Sequence, residues 1–515
     1  MTKQVLCEAG GIVSAGTPYA ADAGAAILRE GGTAADAAVG TALALAVSDP
    51  ANCSFFGRGQ FLWRDAEGQV DAVDGTTIVP MAATETSIDG FAGAAIPGLP
   101  QALAALHARH GRLPLAQVVE PAIRLAEAGF APTEKLRAVW AGRLEALSRH
   151  PAASTYLGDQ GCAPTHFTHP RLASLLRDFA RLGGDVLTEQ SRATAIADDI
   201  RANGGFWQAR DLTGNLARTG EVITGRFRDC EVTSIGRQGW GHTLIQMLAI
   251  LDALPRFGPR LTPDEARRLV LVIRRALEDR PQHLGTLEPR PEGVELARLA
   301  SAAHAARCAD AIVREMAGLP LPIDVDPETL AAPTATLDQD TTHASILDAQ
   351  GNCVSFTCSI GPHFGQAVTD STHGVLLARS YQMENCPDPG ARDVTEMCPT
   401  VVTRDGKLLL ALGAAGSERI PGAVMQVIVN VVDRGLPLPQ AVAFPRVTLQ
   451  ASTPRVHRHA EAAVIGALHA WGMPPELAGD GHVNHLGIVH AVGFSPAGAP
   501  VGAADLAWDG AVRSA

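Results

Sequence analysis

The spacing of apolar and polar positions near the start of the chain predicts a short strand followed by two packed helices. Residues 11–15, Gly-Ile-Val-Ser-Ala, form the strand candidate. Thr17 is suited to cap a helix that has proline at its first position, runs to Glu30 and stops at a pair of glycines. Thr33 and Asp36 have the spacing of a capping box and open a second, alanine-rich helix.

The pattern changes to that of a β-hairpin near residue 340. Residues 331–337 have no apolar period and contain a proline, which predicts an exposed loop. Residues 340–348, Asp-Thr-Thr-His-Ala-Ser-Ile-Leu-Asp, become strand-like. A turn over residues 348–352 and a second strand over residues 353–360 complete the hairpin. A pair of threonines therefore lies where a loop meets the first strand.

Two further stretches predict a strand, a glycine-containing turn and a helix. In one, the strand 231–235 leads through the loop 236–241 into a helix. The glycines of that loop do not have the spacing of a nucleotide-binding loop, so we expect no nucleotide and no other cofactor. In the other, the strand 407–412 leads through a tight turn over residues 413–417 into a helix that begins at Glu418.

The threonine pair suggests a specific chemistry. A chain cut at the junction of loop and strand would make a threonine the new N-terminus, with its hydroxyl activated by its own α-amine. The pair alone is weak support, because threonines that enter strands are usually present as good β-formers.

The bulk composition excludes several classes of partner. The 515 residues, 46% of them hydrophobic, are enough for one large core or two ordinary ones. A formal net charge of −12 without a long run of like charge argues against nucleic acid. No apolar segment is long enough to span a membrane. We therefore expect neither a nucleic-acid nor a membrane partner.

Cysteine usage and the first residues favour a cytoplasmic location and no metal site. Nine scattered cysteines, an odd number, fit reduced thiols better than a disulfide framework. The first ten residues lack the apolar region of a signal peptide. Cys162, His166 and His169 have a spacing that a metal could use, but no fourth ligand stands nearby, so we expect a polar loop there.

Several stretches together resemble the γ-glutamyltranspeptidase (γ-glutamyltransferase) family. They are residues 14–50, the Asp-Thr-Thr-His motif at 340–343 with the strand and turn after it, residues 374–377, and the closing segment 502–511. The resemblance runs almost end to end, in the family's order. It implies an α+β fold of the N-terminal nucleophile (Ntn) hydrolase type, a four-layer αββα sandwich with two sheets packed face to face between helices.

The resemblance also implies a maturation step. Members of the family cleave themselves before the threonine that corresponds to Thr341, so autocleavage is expected between Asp340 and Thr341. The products would be a large segment, residues 1–340, and a small segment, residues 341–515. These two chains would stay together as a heterodimer around one shared core, with further oligomerisation left open. The freed α-amine of Thr341 would serve as the base for its own hydroxyl.

Other catalytic roles follow from the same resemblance. Gly416 and Ser417 take the places of two adjacent glycines whose backbone N–H groups stabilise the oxyanion. Serine is acceptable there if its backbone conformation matches. Ser359 stands where the family has a hydroxyl residue that contacts the amine of the nucleophile. Arg419 is as in the family and is assigned to the substrate-binding set.

The rest of the substrate-binding set departs from the family's pattern. Thr76 stands where the family has an arginine that grips the substrate α-carboxylate. Glu396 replaces one of two hydroxyl residues, and Thr395 retains the other. Gln382 and Asn385 correspond to residues that hold the substrate amino group, but Asn385 lacks the charge. These departures indicate retained chemistry and an altered acyl group.

Compensation for Thr76 by another arginine stays open. Arg58, Arg237 and Arg419 are the candidates. In the simpler interpretation Arg58 faces solvent, and in the other it supplies a charge near the site.

Three functions are consistent with this sequence. The first is a self-processing acyl-transfer enzyme that acts on a small-molecule substrate and cleaves a γ-glutamyl-like amide or a related acyl group. The second is a relative from specialised metabolism that hydrolyses a different bond, including a C–C bond next to a carbonyl. The third is an uncleaved, inactive homologue that acts as a binding protein. The retained Asp340, Thr341, Ser359 and Gly416 argue against the third.

Overall fold

The computed structural model of the protein describes residues 3–6, 10–84, 89–214, 217–283, 298–319, 339–379, 388–450, 452–479 and 485–515. The helices in these ranges are α1 (Pro18–Arg29), α2 (Ala34–Ser48), α3 (Leu99–His110), α4 (Leu115–Ala128), α5 (Glu134–Ala141), α6 (Leu144–Ser148), α7 (Pro170–Leu182), α8 (Gln190–Ala202), α9 (Ala209–Thr213), α10 (Gly241–Asp252), α11 (Pro263–His283), α12 (Ala302–Met316), α13 (Arg419–Val432), α14 (Leu438–Ala443) and α15 (Ala462–Ala470). The strands are β1 (Lys3–Leu6), β2 (Ile12–Ala15), β3 (Arg58–Arg64), β4 (Val70–Gly75), β5 (Arg218–Thr219), β6 (Val222–Phe227), β7 (Cys230–Ile235), β8 (Gln339–Leu347), β9 (Cys353–Pro362), β10 (Thr400–Arg404), β11 (Lys407–Ala415), β12 (Val447–Gln450), β13 (Thr453–His457), β14 (Glu476–Ala478), β15 (Ile488–Phe494), β16 (Pro500–Ala504) and β17 (Ala511–Ser514).

The strands form two large sheets and one small sheet. The first large sheet has the order β1-β16-β15-β11-β10-β7-β6, and the second has the order β17-β2-β8-β9-β3-β4-β5. Neighbouring strands in both large sheets are antiparallel. Each large sheet combines strands from both halves of the sequence, so the regions before and after residue 341 share one structure.

The two large sheets pack face to face and carry helices on their outer faces. Strand β8 contacts β11, and β2 contacts β16, across an apolar layer that includes Ile12, Val401 and Ala411. Helices α1, α2 and α3 contact the second sheet, whereas α10 and α13 contact the first. This order of layers, helix–sheet–sheet–helix, confirms the predicted α+β, αββα sandwich.

The first two predicted helices are confirmed down to their caps. Thr17 Oγ1 accepts a hydrogen bond from the N–H of Ala20 at 3.2 Å and caps α1. Thr33 and Asp36 bond reciprocally in a capping box at the start of α2. Every residue of α2 is buried, which explains its alanine-rich sequence, because small side chains let neighbouring elements approach on all sides.

The predicted hairpin is also present, with its first strand shifted by one residue and its second strand two residues longer than expected. Strand β8 starts at Gln339 and β9 extends to Pro362. The loop predicted over residues 331–337 lies outside the described residues. The tight turn predicted over residues 413–417 is wrong in its first part, because β15 pairs with β11 up to Ala415 and keeps the chain extended.

The described ranges contain no helix with the length and hydropathy of a membrane span. Seven cysteines lie in these ranges, and all seven are free thiols. Six of them are buried, and Cys162 is exposed.

Candidate active site

Thr341 lies in β8 at an irregularity of the hairpin. The register pairs Asp340 with Gly361 on one side and Thr342 with Cys358 on the other, so β9 has one extra residue opposite Thr341. Such a β-bulge bends the strand and redirects neighbouring side chains. Thr341 itself is only 5% exposed, so its hydroxyl lies in a largely enclosed environment.

The hydroxyl of Thr341 faces a backbone amide at the end of β11. The N–H of Gly416 donates to Thr341 Oγ1 at 3.1 Å. Gly416 has φ +123° and Ser417 has φ +52°, so the chain turns sharply before α13. The left-handed conformation of Ser417 costs a non-glycine residue on the order of 1 kcal/mol. The predicted oxyanion amide therefore lies within hydrogen-bond distance of the predicted nucleophile.

The surroundings of Gly416 require a glycine. A Cβ atom at this position would lie 2.6 Å from His485 Cε1 and 3.2 Å from Arg419 Nε. The Nε–H of Arg419 donates to the carbonyl oxygen of Gly416 at 2.8 Å and helps to fix this peptide. Helix α13 starts at Arg419, and its N-terminal end adds positive potential where an oxyanion would form.

His343 lies fully buried between the two sheets, two residues after the nucleophile candidate. Its Nδ1 is 2.8 Å from Thr357 Oγ1, and its Nε2 is 3.0 Å from Ser345 Oγ. Burial, with a smaller contribution from His490, holds the pKa of His343 well below its ordinary value. The imidazole is therefore neutral at pH 7 and links Thr357 and Ser345 by hydrogen bonds between the two sheets.

Ser359 lies on β9 beside the bulge. It pairs with Arg58 across the sheet, and its Oγ accepts a hydrogen bond from the N–H of Gly361 at 2.9 Å. The expected contact between Ser359 and the free α-amine of Thr341 stays a prediction.

Arg58 is fully buried, so the interpretation that it faces solvent is wrong. Its Nη1 donates to Asp393 Oδ2 at 3.1 Å, to Thr77 Oγ1 at 3.1 Å and to the carbonyl oxygen of Arg379 at 2.9 Å. Both side chains of the Arg58–Asp393 ion pair are 0% exposed. Isolated from water, the guanidinium needs this carboxylate, so Asp393 balances the charge of Arg58.

Thr76 follows β4 and is also fully buried. Within the described residues its Oγ1 has no hydrogen-bond partner, and its N–H donates to Asp74 Oδ1 at 3.1 Å. Nη1 of Arg392 donates to the carbonyl oxygen of Thr76 at 3.3 Å. A guanidinium from a distant segment thus binds the backbone at the position where the family resemblance calls for an arginine side chain.

Thr395 and Glu396 lie next to the loop 236–241. The N–H of Thr395 donates to the carbonyl oxygen of Gln238 at 3.0 Å. Thr395 Oγ1 is 3.4 Å from Gln60 Oε1, so the side chain points toward strand β3. The loop and the predicted substrate-binding segment therefore form one continuous wall.

Two carboxyl groups interact near this wall. Burial and the neighbouring charge of Glu396 raise the pKa of Glu418 to about 7. Burial also raises the pKa of Glu396, whereas Arg58 and Arg280 act in the opposite direction. The guanidinium of Arg280 lies 3.9 Å from the centre of the Trp240 ring. Glu418 is therefore able to hold or release a proton close to neutral pH.

The remaining predicted residues fall into two groups. Arg237 forms an ion pair with Glu221 at 3.1 Å, and Arg419 is bonded to Gly416, so both have partners within the protein. Gln382 and Asn385 lie outside the described residues, and their contact with a substrate amino group stays a prediction.

Three residues of this region are not marked by any motif in the sequence. Arg280 belongs to α11, His485 precedes β15 and Arg392 precedes Thr395. Each one reaches the site through the packing of distant segments, and no local motif marks it. The useful signal is burial, since all three have a charged or titratable side chain that is less than 9% exposed.

The sequence is similar to known proteins over most of its length. The model of the family described as gamma-glutamyltranspeptidase matches residues 20–515. An acylase ACY 1 proenzyme from Pseudomonas sp. (strain V22) is 30% identical, over 97% of this chain and 92% of its own length. A glutathione hydrolase proenzyme from Pseudomonas aeruginosa is 29% identical, over 85% of this chain and 82% of its own length.

Solved structures agree with the fold. Cephalosporin acylase from Bacillus halodurans superposes with a TM-score of 0.86 at 24% identity, over 99% of this chain and 96% of that chain. The γ-glutamyltranspeptidase of Helicobacter pylori superposes with a TM-score of 0.53 at 25% identity, over 61% of this chain and 92% of that chain. With the match over residues 20–515, the chain belongs to the γ-glutamyltranspeptidase family and is an enzyme of its hydrolase and acyltransferase kind.

Proposed function

We propose that this enzyme cleaves itself between Asp340 and Thr341 and then uses Thr341 as the nucleophile of amide hydrolysis and acyl transfer. The observation that carries the proposal is the hydrogen bond from the N–H of Gly416 to Thr341 Oγ1 at 3.1 Å. The oxyanion of a tetrahedral intermediate forms at the carbon that Thr341 Oγ1 attacks, so an amide directed at Oγ1 is already close to it. Such a donor stabilises the negative charge strongly because the site is enclosed.

The maturation step conserves all atoms of the chain and consumes one water. Thr341 Oγ attacks the carbonyl carbon of Asp340, and the peptide C–N bond breaks as the acyl group moves from nitrogen to oxygen. Water then hydrolyses the resulting ester, which leaves a carboxylate on residue 340 and a free amine and hydroxyl on Thr341. The mixed composition of both large sheets supports retention of the two chains in one folded unit.

Catalysis then follows from the groups around Thr341. Its α-amine accepts the hydroxyl proton, and Oγ attacks the substrate carbonyl. The N–H groups of Gly416 and Ser417 stabilise the oxyanion. The leaving amine departs with a proton, and water or a second amine releases the acyl group from Thr341.

We also propose that the enzyme does not recognise the α-carboxylate of a γ-glutamyl group as its relatives do. Thr76 offers a hydroxyl where an arginine is expected, and Glu396 adds an acidic group to the neighbouring wall. The arginines that could compensate have other partners: Arg58 pairs with Asp393, and Arg419 bonds to Gly416. Thr76 therefore cannot donate the two parallel hydrogen bonds that an arginine at this position would make to the substrate carboxylate.

A set of four p-nitroanilides tests this proposal, because it varies the two charges of the donor independently. The acyl groups are γ-glutamyl, glutaryl without the ammonium, 4-aminobutyryl without the carboxylate, and butyryl without either. We expect removal of the carboxylate to change kcat/KM by less than about tenfold, against the 10²–10³-fold, roughly, that an arginine-bound carboxylate contributes. Thr341→Ala should release no nitroaniline from any of the four.

Two outcomes would overturn the proposal at different levels. Turnover by Thr341→Ala equal to wild type would refute the nucleophile. A loss of about 10²-fold or more on removing the carboxylate, abolished in Arg392→Gln, would refute altered recognition and show that Arg392 has replaced the missing arginine.

A further inference from the structure

A second group of chemically versatile side chains lies where helices α10, α11 and α12 meet. It consists of Asp279 on α11 and of His304 and Cys308, one turn apart on α12. One donor atom from each of the three residues lies within 4.8 Å of the other two. The catalytic proposal uses none of these residues.

The donor atoms have nearly the spacing of a metal site. His304 Nε2 is 3.4 Å from Cys308 Sγ and 2.9 Å from Asp279 Oδ2. A tetrahedral zinc ion, with bonds of about 2.0–2.3 Å, holds neighbouring ligand atoms about 3.3–3.8 Å apart. The sulfur–nitrogen edge already fits. The oxygen–nitrogen edge must open by about half an ångström, which rotation of the Asp279 side chain can provide.

A fully buried glutamine independently points to a ligand at this position. Gln246 of α10 is 0% exposed, and its Nε2 lies 2.5 Å from Asp279 Oδ2 and 3.3 Å from His304 Nε2. Its Oε1 has no hydrogen-bond partner among the described residues. A half-turn of the Gln246 amide would direct Oε1 at Asp279, His304 and Cys308. Without a metal the Asp279 carboxylate repels this oxygen, whereas a bound cation would attract it.

Two contacts oppose metal binding and have to be exchanged. Metal binding releases the proton held between His304 Nε2 and Asp279 Oδ2, which lie 2.9 Å apart. Arg307 Nη2 lies 3.4 Å from His304 Nδ1. When Nε2 binds a metal, Nδ1 carries the ring proton, so Arg307 must turn away from it. The Arg307 contact is long, and the Asp279 side chain is 22% exposed, so solvent reaches the group.

We propose that Asp279, His304 and Cys308 form a zinc site, with Gln246 or a water in the fourth position. The mixture of carboxylate, imidazole and thiolate selects zinc over magnesium or calcium, which prefer oxygen ligands. A bound ion would join Asp279 of α11 to His304 and Cys308 of α12. With Gln246 as the fourth ligand, it would also hold α10 against both helices. This proposal does not depend on the catalytic one.

Cobalt and zinc titrations of the full-length protein test the site. After treatment with a chelator, Co²⁺ should bind with a stoichiometry of about one and produce thiolate charge-transfer absorption together with tetrahedral d–d bands. Zn²⁺ should displace it. Cys308→Ala and His304→Ala should each weaken zinc binding at least about 100-fold, since loss of a ligand costs no less than loss of its supporting contacts.

Cys162→Ala is the matched control, because Cys162 is an exposed thiol that precedes α7 and is not one of the three proposed ligands. It should leave the spectrum and the affinity unchanged. The absorption spectrum of the Co²⁺-loaded wild type tests the site even if a substituted protein fails to fold. Absence of the charge-transfer band with excess Co²⁺, or equal binding by wild type and Cys308→Ala, would show that the three residues are only a hydrogen-bonded link between helices.

Discussion

Replacement of Gly416 by alanine should disable the amide that faces the nucleophile. The added Cβ would lie 2.6 Å from His485 Cε1, about 1 Å inside ordinary van der Waals separation. The backbone angle of φ +123° is also one that only glycine adopts without strain, at a cost of about 1–3 kcal/mol for other residues. The turn therefore has to move.

The size of that movement determines the effect on catalysis. The N–H of Gly416 is now 3.1 Å from Thr341 Oγ1, and a shift of several tenths of an ångström carries it beyond hydrogen-bond range. Loss of one oxyanion donor costs about 2.7–4 kcal/mol in other enzymes, which corresponds to about 10²–10³-fold in kcat. We expect a loss of that order per processed Gly416→Ala molecule.

The assay combines intact mass, which gives the processed fraction, with initial rates on the best of the four anilides. Ser417→Gly is the matched control: it keeps the backbone N–H, relieves the left-handed serine at φ +52°, and should retain kcat within about threefold. Circular dichroism checks that both variants are folded. A folded Gly416→Ala enzyme with kcat within threefold of wild type would show that this amide is not an oxyanion donor.

Three further substitutions test the buried parts of the site. The pKa of Glu418 is raised from 4.5 in the unfolded chain to about 7 in the folded protein, so the free energy of unfolding falls as pH rises between these two values. Glu418→Gln should remove this pH dependence, which is worth at most about 3 kcal/mol. Equal pH slopes for wild type and Glu418→Gln in urea unfolding between about pH 4.5 and 8 would contradict this. Asp393→Ala should lower the free energy of unfolding by about 3–5 kcal/mol, because it leaves Arg58 buried without the carboxylate of Asp393. An unchanged unfolding midpoint would show that Arg58 does not depend on this ion pair. Gly413→Ala would place a Cβ 2.3 Å from His343 Cε1 and should cost about 1–3 kcal/mol, measured as a lower thermal midpoint; a rise in the midpoint would show that the ring moves freely.

Local features of the fold were predictable from the sequence. The capping threonines of α1 and α2 act on residues three positions away, so their signal is contained in a few neighbouring letters. The hairpin around Thr341 is likewise a local structure, with a turn that Asp348 stabilises by accepting the N–H of Asn352 at 2.9 Å. The layered architecture came from the family resemblance rather than from any single pattern.

Features that depend on distant segments were not predictable. Strand β11 runs on to Ala415 because β15 pairs with it, and β15 lies more than seventy residues later in the chain. The burial of Arg58 depends on Asp393, and the guanidinium at Thr76 comes from Arg392. Charge pairs between remote segments leave no periodic pattern in a single sequence, so only the folded chain reveals them.

Intact mass spectrometry of the purified wild type beside Thr341→Ala and Thr342→Ala tests whether the hydroxyl of Thr341 cleaves the chain after Asp340. The neighbouring threonine is the control, because it has the same hydroxyl one position later and is also buried. We expect wild type and Thr342→Ala to separate into chains of residues 1–340 and 341–515, whereas Thr341→Ala stays whole. A folded wild type that remains a single chain, or a Thr341→Ala protein that still cleaves after Asp340, would contradict it.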